Sequence, residues 1–336
     1  MSAVGTRSAI LIALASPLAV AESAQEQAKG FIEDSTWSVV NRTVYDSREY
    51  RHGASNSGAR NAYKSRSDRN GYAEEWAYGL MGTLQSGFTQ GLIGVGVDAH
   101  AYMGLKLDSG GGRAGKARLL GLDNDGYPKD NYGRGGAALK LRMSNTVLSW
   151  GEQRVKTPVF SSSDSRLLPE TATGVFLTSN EFNALKMVGG HFTESTDRNA
   201  SSHNQGFVVN YSNGPKGNAF DLAGLVYTPS KNLSASLYTS RYEDTWNQHY
   251  LGAVFSHALD ENRSLSLNLN LYRTTDEGKA LSGNIDNTTW SLLSTYAQGP
   301  HSFSVGYQKV HGNTPFDYVT RGAIFLTNAV QLSDFN

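Results

Sequence analysis

Asp98, His100 and Lys106 place an acid, an imidazole and an ammonium at alternate positions of the stretch LIGVGVDAHAYMGLKL, residues 92 to 107. Catalytic use of such groups would need a companion arrangement. The chain has no G-x-S-x-G, no H-E-x-x-H and no phosphate-binding glycine loop. Its 8 histidines, among them His191, His203, His249 and His257, are scattered without ligand spacing. Serines and aspartates are so plentiful that a Ser-His-Asp triad could be drawn in many ways, which makes it an unspecific signal. With 0 cysteines, disulfides, thiolate zinc sites and cysteine nucleophiles are excluded together. No metal and no cofactor is expected. The remaining chemistry for the three groups is to face water along a polar wall.

What positions them is a strand. Residues two apart share a face, so Asp98, His100 and Lys106 stand with Gly94, Gly96, Tyr102 and Gly104, while Ile93, Val95, Val97, Ala99, Ala101, Met103, Leu105 and Leu107 form the opposite face. Strands of soluble proteins usually stop near 5–6 residues, whereas a tilted strand crossing a bilayer needs about 9–11. The stretch fits a transmembrane barrel strand with its apolar face to lipid and its polar face to a wet lumen. It fits equally a long strand of a soluble sandwich with the polar face in solvent.

The rest of the 336 residues decides between them. The charges balance, 30 basic against 30 acidic, and make up only 18% of the chain, so no global charge points to nucleic acid. Gly (36) and Tyr (17) are abundant and Pro (8) is sparse, which suits tight turns and interfacial aromatic girdles. Arg7, the apolar run Ala9 to Leu18 and the small-x-small Ala19-Val20-Ala21 read as an export signal over residues 1 to 21. Beyond it no stretch approaches the ~18 apolar residues of a membrane helix, so a membrane location implies a barrel.

The alternation recurs. Leu265, Leu267, Leu269 and Leu271 alternate with Ser266, Asn268 and Asn270; Phe303, Val305 and Tyr307 with serines, Gly306 and Gln308; Leu139, Leu141 and Met143 with Lys140 and Arg142. Weaker versions lie at 36 to 45, 74 to 87, 185 to 193, 232 to 241, 248 to 257 and 288 to 297. Roughly fourteen strands are expected, with ends uncertain by about 2–4 residues. Residues 87 to 91 and 144 to 146 read as tight turns, and 47 to 72, 108 to 133 and 153 to 173 as long loops. Short turns on one side and long loops on the other is the outer-membrane arrangement; after residue 194 the sides stay unassigned. Residues 22 to 336 read as one domain. The loop QRVKTPVFSSSDSRLLPET, within 153 to 173, carries Val159, Phe160, Leu167 and Leu168. It could pack on the inner wall of a barrel as a constriction, or fold externally on its own side chains.

The words GFIEDS (30 to 35), VGVDAHAYMGLKLD (95 to 108), SRLLPETATG (165 to 174), YRTTDEGKA (272 to 280), NTTWSL (287 to 292), YQKVHGNTPFDY (307 to 318) and SDFN (333 to 336) resemble, in order, the OprD-like outer-membrane porins, the carboxylate channels. The resemblance implies an all-β fold: a monomeric transmembrane antiparallel β-barrel of about eighteen strands with an inward, pore-constricting loop. It implies passive diffusion across the bacterial outer membrane of small carboxylate-bearing solutes, such as basic amino acids, small peptides and carbapenem antibiotics. Channels for aromatic or other organic acids are the alternative, with an outer-membrane hydrolase barrel a further one. The partners implied are such solutes and outer-membrane lipid, with no nucleic acid.

By matching position, the resemblance also implies a basic ladder at Arg48 and Arg166, facing an acidic, tyrosine-bearing pocket at Tyr211, Tyr318 and Asp334. Ala329 and Leu332 stand where neighbouring pocket positions are polar in the family, and Lys64, Arg66 and Arg69 are out of register for a further rung. After Tyr318 the chain reaches Arg321-Gly322-Ala323 almost directly, where the family has a longer glycine-rich insert. It ends at Phe335-Asn336, where family members continue for about four more strands. The expectation is an incompletely closed sheet between 36 to 45 and 324 to 335, and a function that needs those further strands.

Overall fold

In the computed structural model, the residues described are 23–319, apart from 52, 110–112, 204, 208, 210–216 and 313. They form one antiparallel sheet of 13 strands in strictly sequential order. The strands are β1 (Thr36–Glu49), β2 (Tyr72–Gln85), β3 (Gly94–Asp108), β4 (Asn131–Met143), β5 (Thr146–Gln153), β6 (Thr171–Phe182) and β7 (Leu185–Thr196). They continue with β8 (Phe220–Ser230), β9 (Leu233–Tyr242), β10 (Trp246–Ala258), β11 (Arg263–Asp276), β12 (Asp286–Gln298) and β13 (His301–Gly312). The signal read at 1–21 and the segment 324 to 335 lie outside the described residues. Among the described residues β1 and β13 are the two ends of the order, and the sheet does not close.

Connections 86–93, 144–145, 183–184, 231–232, 259–262 and 299–300 share one end of the sheet. The opposite end carries 50–71, 109–130, 154–170 and 197–219, together with the shorter 243–245 and 277–285. The long and short sides therefore extend past residue 194, and the later part blurs in sequence because its long-side connections shrink. The loop expected at 153 to 173 is narrower at its far end, since Thr171, Ala172 and Thr173 already pair with β7.

The faces are inverted relative to a soluble sandwich. Trp37 is 78% exposed, Phe303 70% and Leu237 55%, while Glu75 (1%), Gln248 (2%) and Asn287 (0%) are buried on the other face. Apolar groups cover the convex side, as a bilayer requires. Leu237 pairs across to Leu225 on β8 and Leu251 on β10, and Leu251 to Leu271 on β11, giving a leucine row at one level. Leu237→Arg is expected to lose about 2–4 kcal/mol of folding stability in lipid vesicles if this row lies near the bilayer midplane. Urea titration checks it; a change within about 0.5 kcal/mol, as at a watery surface, would contradict a lipid-facing row.

Inside the curved sheet the residues 154–170 cross from one wall to the other. At one end Tyr272 on β11 donates its hydroxyl to the Pro158 carbonyl at 3.0 Å. At the other, Leu167 and Leu168 press on Gly79 of β2, where a Cβ would sit 3.0 Å from Leu167 Cγ. Only a sheet bent round on itself lets one loop touch its second and eleventh strands. Phe160 anchors the middle, with ring centroids 5.3 Å from Phe192, 5.5 Å from Phe207 and 4.8 Å from Phe220. Burial of Val159, Phe160, Leu167 and Leu168 against the strands rules out an external, self-packed loop.

Candidate functional site

Six arginines, Arg42, Arg48, Arg118, Arg154, Arg166 and Arg198, gather where this loop meets β1 and the neighbouring loops. Arg42, Val44, Asp46 and Arg48 share the inward face of β1, as period 2 dictates. Arg42 reaches the loop, pairing with Asp164 at 2.9 Å and donating to the Arg166 and Leu167 carbonyls. Arg154 takes the second Asp164 oxygen at 3.0 Å. These contacts fix the backbone around Arg166.

The Arg166 guanidinium is held by carbonyls: Nε donates to Ala117 O at 3.2 Å and Nη1 to Ser165 O at 3.0 Å. Ala117 is itself placed by Glu75 on β2, whose carboxylate accepts from the N–H groups of Gly115 (2.7 Å), Ala117 (2.9 Å) and Leu119 (2.8 Å). Burial, and then the like charges of Arg198, Arg48 and Arg118, draw the Arg166 guanidinium below the ordinary arginine value, with Asp46 opposing. It stays charged at any physiological pH. The three neighbours are engaged with carboxylates: Arg48 with Asp46 through two hydrogen bonds of 2.9 and 3.2 Å, Arg198 with Glu170 at 2.9 Å, and Arg118 with Asp197. Arg166 has no carboxylate partner among the described residues. The cluster therefore carries a surplus cation whose donors suit a carboxylate.

Glu170 modulates that surplus. It is 1% exposed and accepts from Arg198 and from the Ser163 N–H at 3.1 Å. Burial pushes its carboxyl up to about 7, against the opposing pull of Arg198 and with Asp197 adding to the rise. A raised folded-state pKa means that the protonated form suits the fold: its stabilisation is complete below the unfolded value and is lost as pH climbs through about 7. Below that pH Glu170 no longer offsets Arg198. Uptake of benzoate, ionised throughout, is expected to rise as pH falls from 8 to 6. Glu170→Gln should flatten this profile at its low-pH level; an unchanged pH profile in that variant would contradict the assignment.

Of the residues expected to act together, Arg48 and Arg166 are brought together. Tyr318 stands at the other end of the crossing loop, half-buried beside Phe316, whose ring lies 4.9 Å from Tyr272. Its segment is tied to the far wall by Asn287 Nδ2 donating to Pro315 O at 2.9 Å. Tyr211 and Asp334 lie outside the described residues. Lys64 lies in the loop 50–71 between two short 3-10 turns, Arg66 opens the second of these turns and Arg69 follows it, so none extends the β1 register.

The polar residues of β3 that open the sequence analysis do face inward. Asp98 pairs with Lys140, Lys106 with Asp130, and His100 stacks on Tyr102 at 4.6 Å. Glu152 on β5 lies 3.4 Å from His100 Nε2 and accepts from His203 (2.8 Å) and Thr171 (2.5 Å). Sequence reading passed over Arg42, Arg118, Glu170 and Arg198. Arg42 was within reach, having the parity of Arg48; the loop residues had no periodicity to mark them.

With this geometry in place, the comparisons fall on one family. A family model described as outer membrane porin, OprD family, matches residues 29–336. Porin D of Pseudomonas aeruginosa is 43% identical over 323 residues, covering 94% of this chain and 69% of that protein. Among solved structures, OccK9 (OpdG) of Pseudomonas aeruginosa superposes with a TM-score of 0.81 at 32% identity, over 90% of this chain and 74% of that one. OpdK with vanillate, from the same species, gives 0.76 at 31% identity, over 88% and 71%. The family and Porin D are porins by name, which sets aside the hydrolase alternative. The chain belongs to the OprD family of outer membrane porins, and its place is the bacterial outer membrane.

Proposed function

We propose that the chain is a monomeric, selective channel for passive diffusion of small carboxylates, built as one barrel domain over residues 22–336 behind an export signal at 1–21. The observation that carries this is the Arg166 guanidinium: it projects from a loop that crosses the interior, is held by backbone carbonyls, and is flanked by three arginines that already have carboxylates. A substrate carboxylate is the partner it lacks. A guanidinium holds a carboxylate through two parallel hydrogen bonds, and a neighbouring arginine can accept the same group as the solute moves on. Arg48 is that neighbour, able to exchange Asp46 for substrate.

Amino-acid-like zwitterions, basic amino acids first, are the preferred solutes in this reading, with Tyr318, Tyr211 and Asp334 as the side that would hold an ammonium. Aromatic acids are the second reading, favoured by the vanillate named for OpdK. Uptake of labelled arginine into proteoliposomes, competed with unlabelled arginine, benzoate, argininamide and benzamide, separates them. Arginine is expected to compete best and the two amides least. Stronger competition by benzoate moves the assignment to aromatic acids, and competition by the amides equal to that of the acids would overturn carboxylate recognition altogether.

A further inference from the structure

Behind the arginine cluster, Arg134 on β4 is 7% exposed and touches no carboxylate at hydrogen-bonding distance among the described residues. Its donors go to backbone carbonyls of two different inward loops. Nη1 donates to Asp197 O at 2.8 Å and to Ala200 O at 3.0 Å, and Nη2 donates to Pro169 O. The guanidinium lies 5.4 Å from the centroid of the Tyr102 ring, and its Nε is buried without a partner.

The position of these carbonyls gives the contact its meaning. Pro169 lies between Arg166 and Glu170 on the crossing loop 154–170. Asp197 and Ala200 bracket Arg198 on the loop 197–219, and Asp197 also holds Arg118. One planar fork thus grips both loops at the points from which Arg166 and Arg198 project, and at Asp197, which holds Arg118 of the loop 109–130. We infer that Arg134 is a positioning residue that clamps the two loops together and so sets the spacing of Arg166 from Arg198, and with it the place where Arg166 receives the carboxylate, without meeting the solute itself. This rests on the proposed carboxylate path, which it deepens. A lysine would keep the charge but lacks a rigid fork that reaches three carbonyls at once.

The test uses Arg134→Lys and Arg134→Ala in the full chain. The native chain has 0 cysteines, so Ser165→Cys with Ser202→Cys allows a spin label on each loop without background. In the parent, the inter-label distance distribution is expected to be narrow. In Arg134→Lys it should broaden, and the half-saturating concentration for arginine uptake should rise about tenfold while potassium conductance stays within about twofold. Methylguanidinium added to Arg134→Ala should narrow the distribution and restore half-saturation, whereas methylammonium should not. A lysine variant with a narrow distribution and parental half-saturation would overturn the clamp. So would equal rescue by both ions, or failure of both variants to fold with no recovery in methylguanidinium, which would make Arg134 a residue of the wall alone. The label distances report on the clamp even if carboxylate uptake itself is disproved.

Discussion

Arg166→Ala is expected to lower saturable uptake of a small carboxylate by roughly ten- to a hundredfold while leaving potassium conductance nearly unchanged. The estimate follows from losing a charge-assisted hydrogen-bond pair worth about 1.5–3 kcal/mol. The effect should exceed that of Arg48→Ala, because Arg48 gives up its bidentate contact with Asp46 before it can take a substrate. Arg166→Lys should recover part of the loss, since an ammonium supplies the charge but not the planar fork. Flux of labelled arginine and single-channel conductance, measured on the same preparation, check this. Equal losses in both would mean that Arg166 only sets the field or the width of the pore.

The second large effect lies at the middle of the same loop. Phe160→Ala removes the ring that packs on Phe192, Phe207 and Phe220, at a cost of about 3–5 kcal/mol for a buried aromatic. The sheet keeps its own hydrogen bonds, so the loss falls on the loop's attachment to the wall. Potassium conductance should rise severalfold and the preference for arginine over argininamide should fade. Conductance and competition assays on heat-modifiable, folded protein read both. A variant with parental conductance and parental preference would show that the loop is held by its ends, at Pro158 and Leu167, and not by Phe160.

Much of this architecture is legible in the sequence where one strand face meets hydrocarbon and the other meets water, as from Ile93 to Leu107. It is obscured where that contrast fails. On β8 the outward Leu225 and Tyr227 are matched by inward Phe220 and Leu222, because Phe160 and Phe207 of the inward loops pack there, so both faces are apolar. On β6 Phe176 points to the same cluster while Leu177 faces out. β5 loses its alternation at Gly151, whose φ of +131° carries the strand past Leu148 and Trp150 and turns Glu152 inward to His100. A Cβ there would lie 2.4 Å from the Ala137 carbonyl, so the position requires glycine. Arg48 and Arg166 were reached through the family resemblance, while Glu170 owes its character to burial between two loops, which no spacing along the chain records.

The most direct test of carboxylate selection by the Arg166 loop is single-channel recording of the refolded protein in planar bilayers, with graded benzoate set against graded benzamide. The expected record is discrete potassium chloride current steps, interrupted in a concentration-dependent way by benzoate and far less by benzamide, with the benzoate events much reduced in Arg166→Ala. Absence of current from well-folded protein, or interruptions by benzamide as frequent as those by benzoate, would contradict it.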